Sequence, residues 1–197
     1  MKKTVLFLSI LFLTIIYVNA QETKWGFDKA HSKIQFDVAH MVISEVSGQF
    51  QEYEGTVVTT KEDFSDAKID FSITVKSIDT DNEDRDNHLR SADFFDVEKY
   101  PKITFSSKEI KKVGEHQYQL IGNLTLHGVT KEVILDAKYG GTIKDPYGNV
   151  KAGFKITGVI DRTDFGLKYN SVMDAGGMMI GEEVTIICKV ELIKLNN

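Results

Sequence analysis

The sequence predicts an all-β domain with one short helical insertion, its strands arranged as an antiparallel barrel or sandwich. Three observations predict it. Period-two alternation of apolar and polar residues recurs in eight separate runs, the mark of strands with two different faces. Turn-forming residues punctuate the joints between those runs. One dense charged block, residues 84–96, interrupts the series and carries helical rather than strand chemistry.

The first run places Ile34, Phe36 and Val38 on one face, with His40 in step. A second covers residues 49–60. Residues 68–76 alternate most cleanly, with Ile69, Phe71, Ile73 and Val75 apolar. The charged insertion follows. Thr80-Asp81-Asn82-Glu83 reads as a capping box, Thr80 capping the Glu83 amide and Glu83 returning the bond. Asp81, Glu83 and Asp84 then sit in the first turn, where the positive end of a helix favours them. Asp86 precedes Arg90 by four residues, the better orientation for an ion pair on a helix face. A helix is expected over about residues 81–91. Its only apolar members are Leu89 and Ala92, so it suits covering the end of another structure, not filling a core.

Pro101 closes the insertion, because the residue before proline is pushed towards extended conformations. A strand over residues 102–107, with Phe105 on its apolar face, precedes a hairpin at 112–116. Tyr118, Leu120 and Leu124 share one face of the next run. Val133, Leu135, Ala137 and Tyr139 do so in the run after it. Asp145-Pro146-Tyr147-Gly148-Asn149 makes a turn into Ala152, Phe154 and Ile156. The last run is Val184, Ile186, Cys188, Val190 and Leu192. The connection over residues 168–182 exceeds the ~2–5 residues common in hairpins, and it holds Gly176-Gly177, Met173, Met178 and Met179. Two readings stand: adaptable methionines gating an apolar interior, or an irregular loop whose methionines tuck into the core.

The first twenty residues read as a signal peptide. Lys2 and Lys3 are basic, the stretch from Val5 to Val18 is almost continuously apolar, and Val18-Asn19-Ala20 fits a cleavage site. The apolar run is shorter than the ~20 residues that span a bilayer, so no stable membrane insertion is expected. No cysteine stands directly after it, so no lipid-modified N-terminal cysteine is expected. Residues 21–197 are expected to form one domain, periplasmic or secreted, with a substantial core. Removing two lysines with the leader moves the formal net charge from −5 to −7. That balance argues against nucleic acid and against attraction to an anionic membrane surface. Cys188 is the only cysteine, so packing alone must hold the domain together. A homodimer stays open.

Chemistry-bearing patterns are sparse. His31, His40, His88, His116 and His127 lack zinc spacings, so no metal site is expected. His40 and His127 read as structural. Residues 79–90 mimic a calcium loop, but Asp84 stands where glycine is needed and Arg90 where a bidentate glutamate is needed. Asp164-Phe165-Gly166 lacks the companions of a kinase triplet, and Asn123-Leu124-Thr125 lies mid-strand. There is no nucleophile elbow, and Cys188 alternates with Ile186 and Val190 like a small buried hydrophobe. No catalytic residue and no cofactor are expected. Arg85, His88 and Arg90 have two readings. They hold a phosphate-like head group, which guanidinium geometry suits, or they pair with Asp84, Asp86, Asp93 and Asp96 to fix the helix. The second is favoured, because such pairing leaves little free positive charge.

The block Arg85-Asp86-Asn87-His88-Leu89-Arg90-Ser91-Ala92-Asp93-Phe94-Phe95 resembles the signature of the YceI-like proteins. Three further segments are similar to the same family in the same order. They are His31-Ser32-Lys33-Ile34-Gln35-Phe36-Asp37-Val38-Ala39-His40, Leu124-Thr125-Leu126-His127-Gly128-Val129-Thr130-Lys131 and Arg162-Thr163-Asp164-Phe165-Gly166-Leu167. The resemblance spans roughly residues 25–195. It implies a bacterial, eight-stranded, antiparallel lipocalin-like barrel that binds a polyisoprenoid lipid in the cell envelope. Eight closed strands leave room inside for one small ligand.

The expected function is therefore an exported, non-enzymatic protein holding a long-chain isoprenoid or related amphiphile for transport, storage or sequestration. The residues expected to contact the chain are Ile34, Phe36, Val38, Ile69, Phe71, Ile73, Phe105, Leu120, Leu124, Phe154 and Ile156. Met178 and Met179 join them from the loop, and Arg85, His88 and Arg90 are candidate head-group contacts. Two rivals differ in kind. An envelope enzyme acting on a lipid or quinone-like substrate needs a titratable cluster facing the interior. A scaffold barrel is filled solidly by its own side chains.

Overall fold

Eleven hydrogen-bonded segments make only eight strands, because three of the strands are each interrupted once. The computed structural model describes residues 21–172 and 178–195, so the expected signal peptide and Met173, Gly176 and Gly177 lie outside the described residues. β1 (Thr23–Phe27) and β2 (Lys33–His40) run end to end along β11 (Ile180–Lys194), Trp25 facing Lys194 and Ile34 facing Cys188. β3 (Ser44–Phe50) and β4 (Tyr53–Thr59) continue one another beside β2 and β1. β5 (Lys68–Thr74) and the two-residue β6 (Ile78–Asp79) are parted by a single 3-10 turn, Val75–Ser77.

The rest is unbroken: β7 (Lys102–Gly114), β8 (Gln117–Leu126), β9 (Val129–Lys144), β10 (Val150–Asp161) and β11. Each strand pairs antiparallel with the next, and β11 closes the ring on β1 and β2. The result is an up-and-down barrel, whose closure removes exposed sheet edges. The expected all-β, eight-stranded antiparallel barrel with a helical insertion is borne out.

Two strands differ from their sequence reading for physical reasons. Residues 49–60 are split at Gln51-Glu52, where the Gln51 amide leaves the ladder and donates to Ser77 O at 3.1 Å. β7 runs well past residue 107. A register shift between Ser107 and Glu109 moves the inward face from Ile103 and Phe105 to Ile110, so the visible alternation stops while the strand does not.

The barrel's two ends are built differently. At one, the β4–β5 connection turns Phe64 inward at a left-handed φ of 60°, against Trp25 (5.1 Å between ring centroids) and Phe154 (5.0 Å). Asp66 clamps that loop by accepting from the Thr60 and Lys61 amides and from the Thr59 and Thr60 hydroxyls. Burial alone would raise its carboxyl, yet those donors hold it well below the usual range. The other end carries the helix α1 (Glu83–Arg90), the β2–β3 turn and the β10–β11 connection.

One ion network ties the barrel seam. Lys151 Nζ lies 2.8 Å from both Asp28 Oδ2 and Glu191 Oε1, and His31 Nδ1 lies 3.0 Å from the same Asp28 oxygen. Lys151 and His31 hold Asp28 well below the usual carboxylate range, and Asp28 and Glu191 hold Lys151 above its ordinary value. A depressed carboxyl contributes stability above its unfolded value of ~3.9 and loses it as pH falls towards the folded value. The raised lysine contributes below ~10.4 and loses its share as pH climbs through the folded value. The melting temperature is thus expected to be flat near neutrality and to fall below about pH 4. Lys151→Met should lower it at pH 7 and flatten the acid limb. An acid limb identical to that of the unaltered protein would contradict this account.

Candidate functional site

Alternate residues of all eight strands converge on a cavity of about 270 Å³ inside the barrel. One water needs only ~10–15 Å³ by such a measure, so the interior is open, not solidly packed. Of the 37 described residues lining it, only Gln35, Asp63, Thr104, Tyr118, Arg162 and Cys188 bear a polar side-chain atom. A wider, shallower depression on the outer face of β4, β5, β7 and β8 is bordered by Glu54, Asp70, Ser106 and Thr125, and belongs to the solvated outer wall.

The eleven strand residues named from sequence as chain contacts all line this cavity: Ile34, Phe36, Val38, Ile69, Phe71, Ile73, Phe105, Leu120, Leu124, Phe154 and Ile156. Rings this numerous would ordinarily fill the space. They leave it open partly because Phe36 and Phe105 lie against glycines on neighbouring strands. A Cβ on Gly48 would collide with the Phe36 ring, and one on Gly122 with the Phe105 ring. Missing side chains let the rings lie along the wall.

The two loop methionines stand apart from the strand residues. Neither Met178 nor Met179 is among the lining residues. Met178 is exposed in a bridge to Val172. Met179 is held at the rim by its backbone, donating to Ser171 O and accepting from the Met41 amide. Asn170 and Arg162 fix the two arms of this loop by bonding the carbonyls of Ile180 and Gly181.

The helix that roofs the cavity is real, but its chemistry differs from the sequence reading. It starts two residues later than expected, with Asn82 as N-cap accepting from the Arg85 amide. Thr80 is buried, and its amide and hydroxyl both donate to Asp86 Oδ1, at 3.0 and 2.6 Å. The Thr80–Glu83 capping box therefore does not form. Leu89, Phe94 and Phe95 face the cavity from this segment.

Arg85, His88 and Arg90 are absent from the lining. Arg85 donates to Thr80 Oγ1 (2.8 Å) and Thr80 O (2.6 Å). Arg90 donates to Lys76 O (2.9 Å), Ile78 O (2.7 Å) and Asn87 Oδ1 (3.1 Å). Both guanidiniums therefore fasten the helix to backbone carbonyls of the preceding segment, residues 76–80, and the expected pairing with acids is seen only as His88–Asp93 at 3.4 Å. His88 also packs edge-on against Phe94 and Tyr169. Arg90→Ala should cost about 1–3 kcal/mol, from charged hydrogen bonds lost, with little change in ligand affinity. Unchanged melting with selective loss of a charged ligand would contradict that assignment.

Sequence reasoning missed Arg162, which is 4% exposed and reaches the cavity wall. Its guanidinium donates to the carbonyls of Gly181 (2.8 Å), Leu167, Tyr169 (3.1 Å) and Ile180 (3.4 Å). Burial pushes its pKa down, and Glu182 and Asp161 act the other way. The other titratable lining groups are Asp63, Tyr118 and Cys188, and no two of the four are hydrogen-bonded to each other among the described residues. Burial pushes the Cys188 thiol up to about 12, so it stays protonated at neutral pH and is a poor nucleophile. The Asp28, His31 and Glu191 cluster could hold a cation by its donor set, but the Lys151 ammonium already lies between its carboxylates.

The geometry can be set beside known proteins. The family model described as YceI-like domain matches residues 25–192. A UPF0312 protein of Staphylococcus epidermidis is 39% identical over 170 residues, covering 86% of this chain and 96% of that protein. The crystal structure of a Campylobacter jejuni YceI protein is 32% identical and superposes with a TM-score of 0.67, covering 86% and 96% of the two chains. A polyisoprenoid binding domain from Saccharophagus degradans shares the fold at 15% identity, with a TM-score of 0.65 and coverage of 87% and 98%.

Proposed function

We propose, from the premise that this chain belongs to the YceI-like family, that it is a lipid-binding protein that carries one long apolar chain inside its barrel. The observation that carries the proposal is the open interior of about 270 Å³ walled almost wholly by hydrocarbon and aromatic side chains. Such a surface offers a ligand little but apolar burial, at roughly 25 cal/mol per Å². A chain that leaves water for this cavity gains affinity from length and shape, and a few polar groups are enough to orient its end. The polyisoprenoid binding domain with the same fold makes an isoprenoid chain the first class to test.

The reading is a binding protein, not an enzyme. Among the described residues, dispersed polar groups and a protonated Cys188 thiol supply no nucleophile–base pair at the wall. The solid-core scaffold is disfavoured by the cavity itself. Export to the periplasm or beyond, with cleavage after Ala20, completes the proposal, because residues 1–20 have the basic start, apolar run and small-residue end of a signal peptide. Titration of delipidated protein with a long-chain isoprenoid alcohol tests it. Saturable binding, with the alcohol recovered unchanged, is expected. Steady conversion of the alcohol to a product would establish the enzyme instead.

A further inference from the structure

Opposite the Phe64 end, the barrel bears an apolar tip that its own packing does not use. Val42 is 78% exposed and Ile43 is 88% exposed, with Met41 beside them on the β2–β3 turn. The neighbouring loop presents Val172 and Met178, both exposed. The Met41 amide donates to Met179 O at 2.8 Å, so the two loops form one continuous surface. Met41 and Val42 hold successive left-handed conformations, with φ of 53° and 65°. A β-branched residue there is strained, and such strain persists where surrounding structure imposes it. Among the described residues of the two loops, 40–44, 169–172 and 178–180, none is Lys, Arg, Asp or Glu.

We infer that this tip is a membrane-contact site, which seats Val42 and Ile43 in the interface of an uncharged or zwitterionic phospholipid bilayer. The position supports this occupant. Val38 and Ile180 lead directly into the tip from β2 and β11, and both line the cavity, so the apolar wall continues to the rim. A few apolar side chains entering the acyl boundary suffice for reversible surface binding. A second copy of the chain is the poorer fit, because a stable dimer takes roughly 800 Å² from each partner, far more than five side chains provide. The absence of Lys, Arg, Asp and Glu among the described residues of the two loops, with the acidic balance of the chain, favours a neutral surface over an anionic one. The purpose of the contact, taking up a lipid from the bilayer, rests on the proposed function. The contact itself does not.

Flotation with phosphatidylcholine vesicles tests the inference on envelope-purified protein, compared with a Val42→Asp, Ile43→Asp double variant carrying the same N-terminus. Both sites are exposed, so the variant should melt like the unaltered protein. The unaltered protein should float with the vesicles, and the variant at least tenfold less. Transfer of a fluorescent isoprenoid alcohol from those vesicles should slow to the same degree and reach the same end point. Equal flotation of the two proteins would overturn the inference, as would no flotation of either. Sedimentation showing a dimer that the double substitution dissolves, without flotation, would overturn it in favour of a contact between copies. Flotation without lipid uptake would leave the membrane contact standing and sink the proposed function instead.

Discussion

Phe154→Glu is expected to abolish retention of an apolar chain while the barrel still folds. The ring of Phe154 stacks on Tyr139 at 5.1 Å and faces the cavity between the two ends. A carboxylate there must be hydrated or neutralised, because an unpaired charge in an apolar wall is strongly disfavoured. The water it draws in occupies the space that an apolar ligand needs. Affinity should fall by roughly 100-fold or more, equivalent to ~2.7 kcal/mol. The strand register does not depend on this side chain, since β10 keeps its backbone ladders to β9 and β11. Cys188→Asp gives a second test with a smaller change of volume at a wall position. Isothermal titration of both variants, with far-ultraviolet dichroism to verify the strands, reads the outcome. Unaltered affinity in a folded variant would place the ligand elsewhere.

Arg162→Ala is expected to produce the largest loss of stability of any single substitution considered. The side chain is buried, and its guanidinium is the donor for carbonyls on both arms of the β10–β11 connection. Removing it leaves several buried acceptors unpartnered and opens a void at the rim of the cavity. About 3–5 kcal/mol should be lost, or roughly 6–20 °C in Tm for a domain of this size. Arg162→Lys should recover only part of that, because one ammonium cannot reach carbonyls arranged around a planar fork. A change of under 1 °C would contradict the assignment.

The strand faces were legible because a single alternating pattern encodes both the wall and the cavity. Ile34, Phe36 and Val38 line the interior for the same reason that they alternate in sequence. The pattern fails where the backbone departs from regular pleating. The shift near Lys108 hides the second half of β7, and the break at Gln51-Glu52 leaves no trace in residue types. The helix was legible from its charge and its cap chemistry, but the choice between Thr80 and Asn82 as cap turned on tertiary contacts. Thr80 is taken by Asp86, which a local reading cannot foresee.

Arg85, Arg90 and Arg162 share a further limit. Most of their partners are main-chain carbonyls, which every residue carries, so no sequence pattern marks them. The cluster of Asp28, His31, Lys151 and Glu191 was invisible for another reason, since closure of the barrel joins residues far apart in the chain. Phe64 was missed because it lies in a loop, where no alternation announces an inward ring. Met178 and Met179 lie outside the lining. Their composition suited a gate, but backbone bonds hold them at the rim.

Mass spectrometry of an organic extract of the protein, purified from its native envelope without detergent, decides whether the barrel holds one long apolar chain. About one equivalent per barrel of a long-chain, predominantly hydrocarbon lipid is expected, released on denaturation and absent from an extract of Phe154→Glu. Folded protein that yields no such lipid, or that yields it equally from the charged-cavity variant, would contradict it.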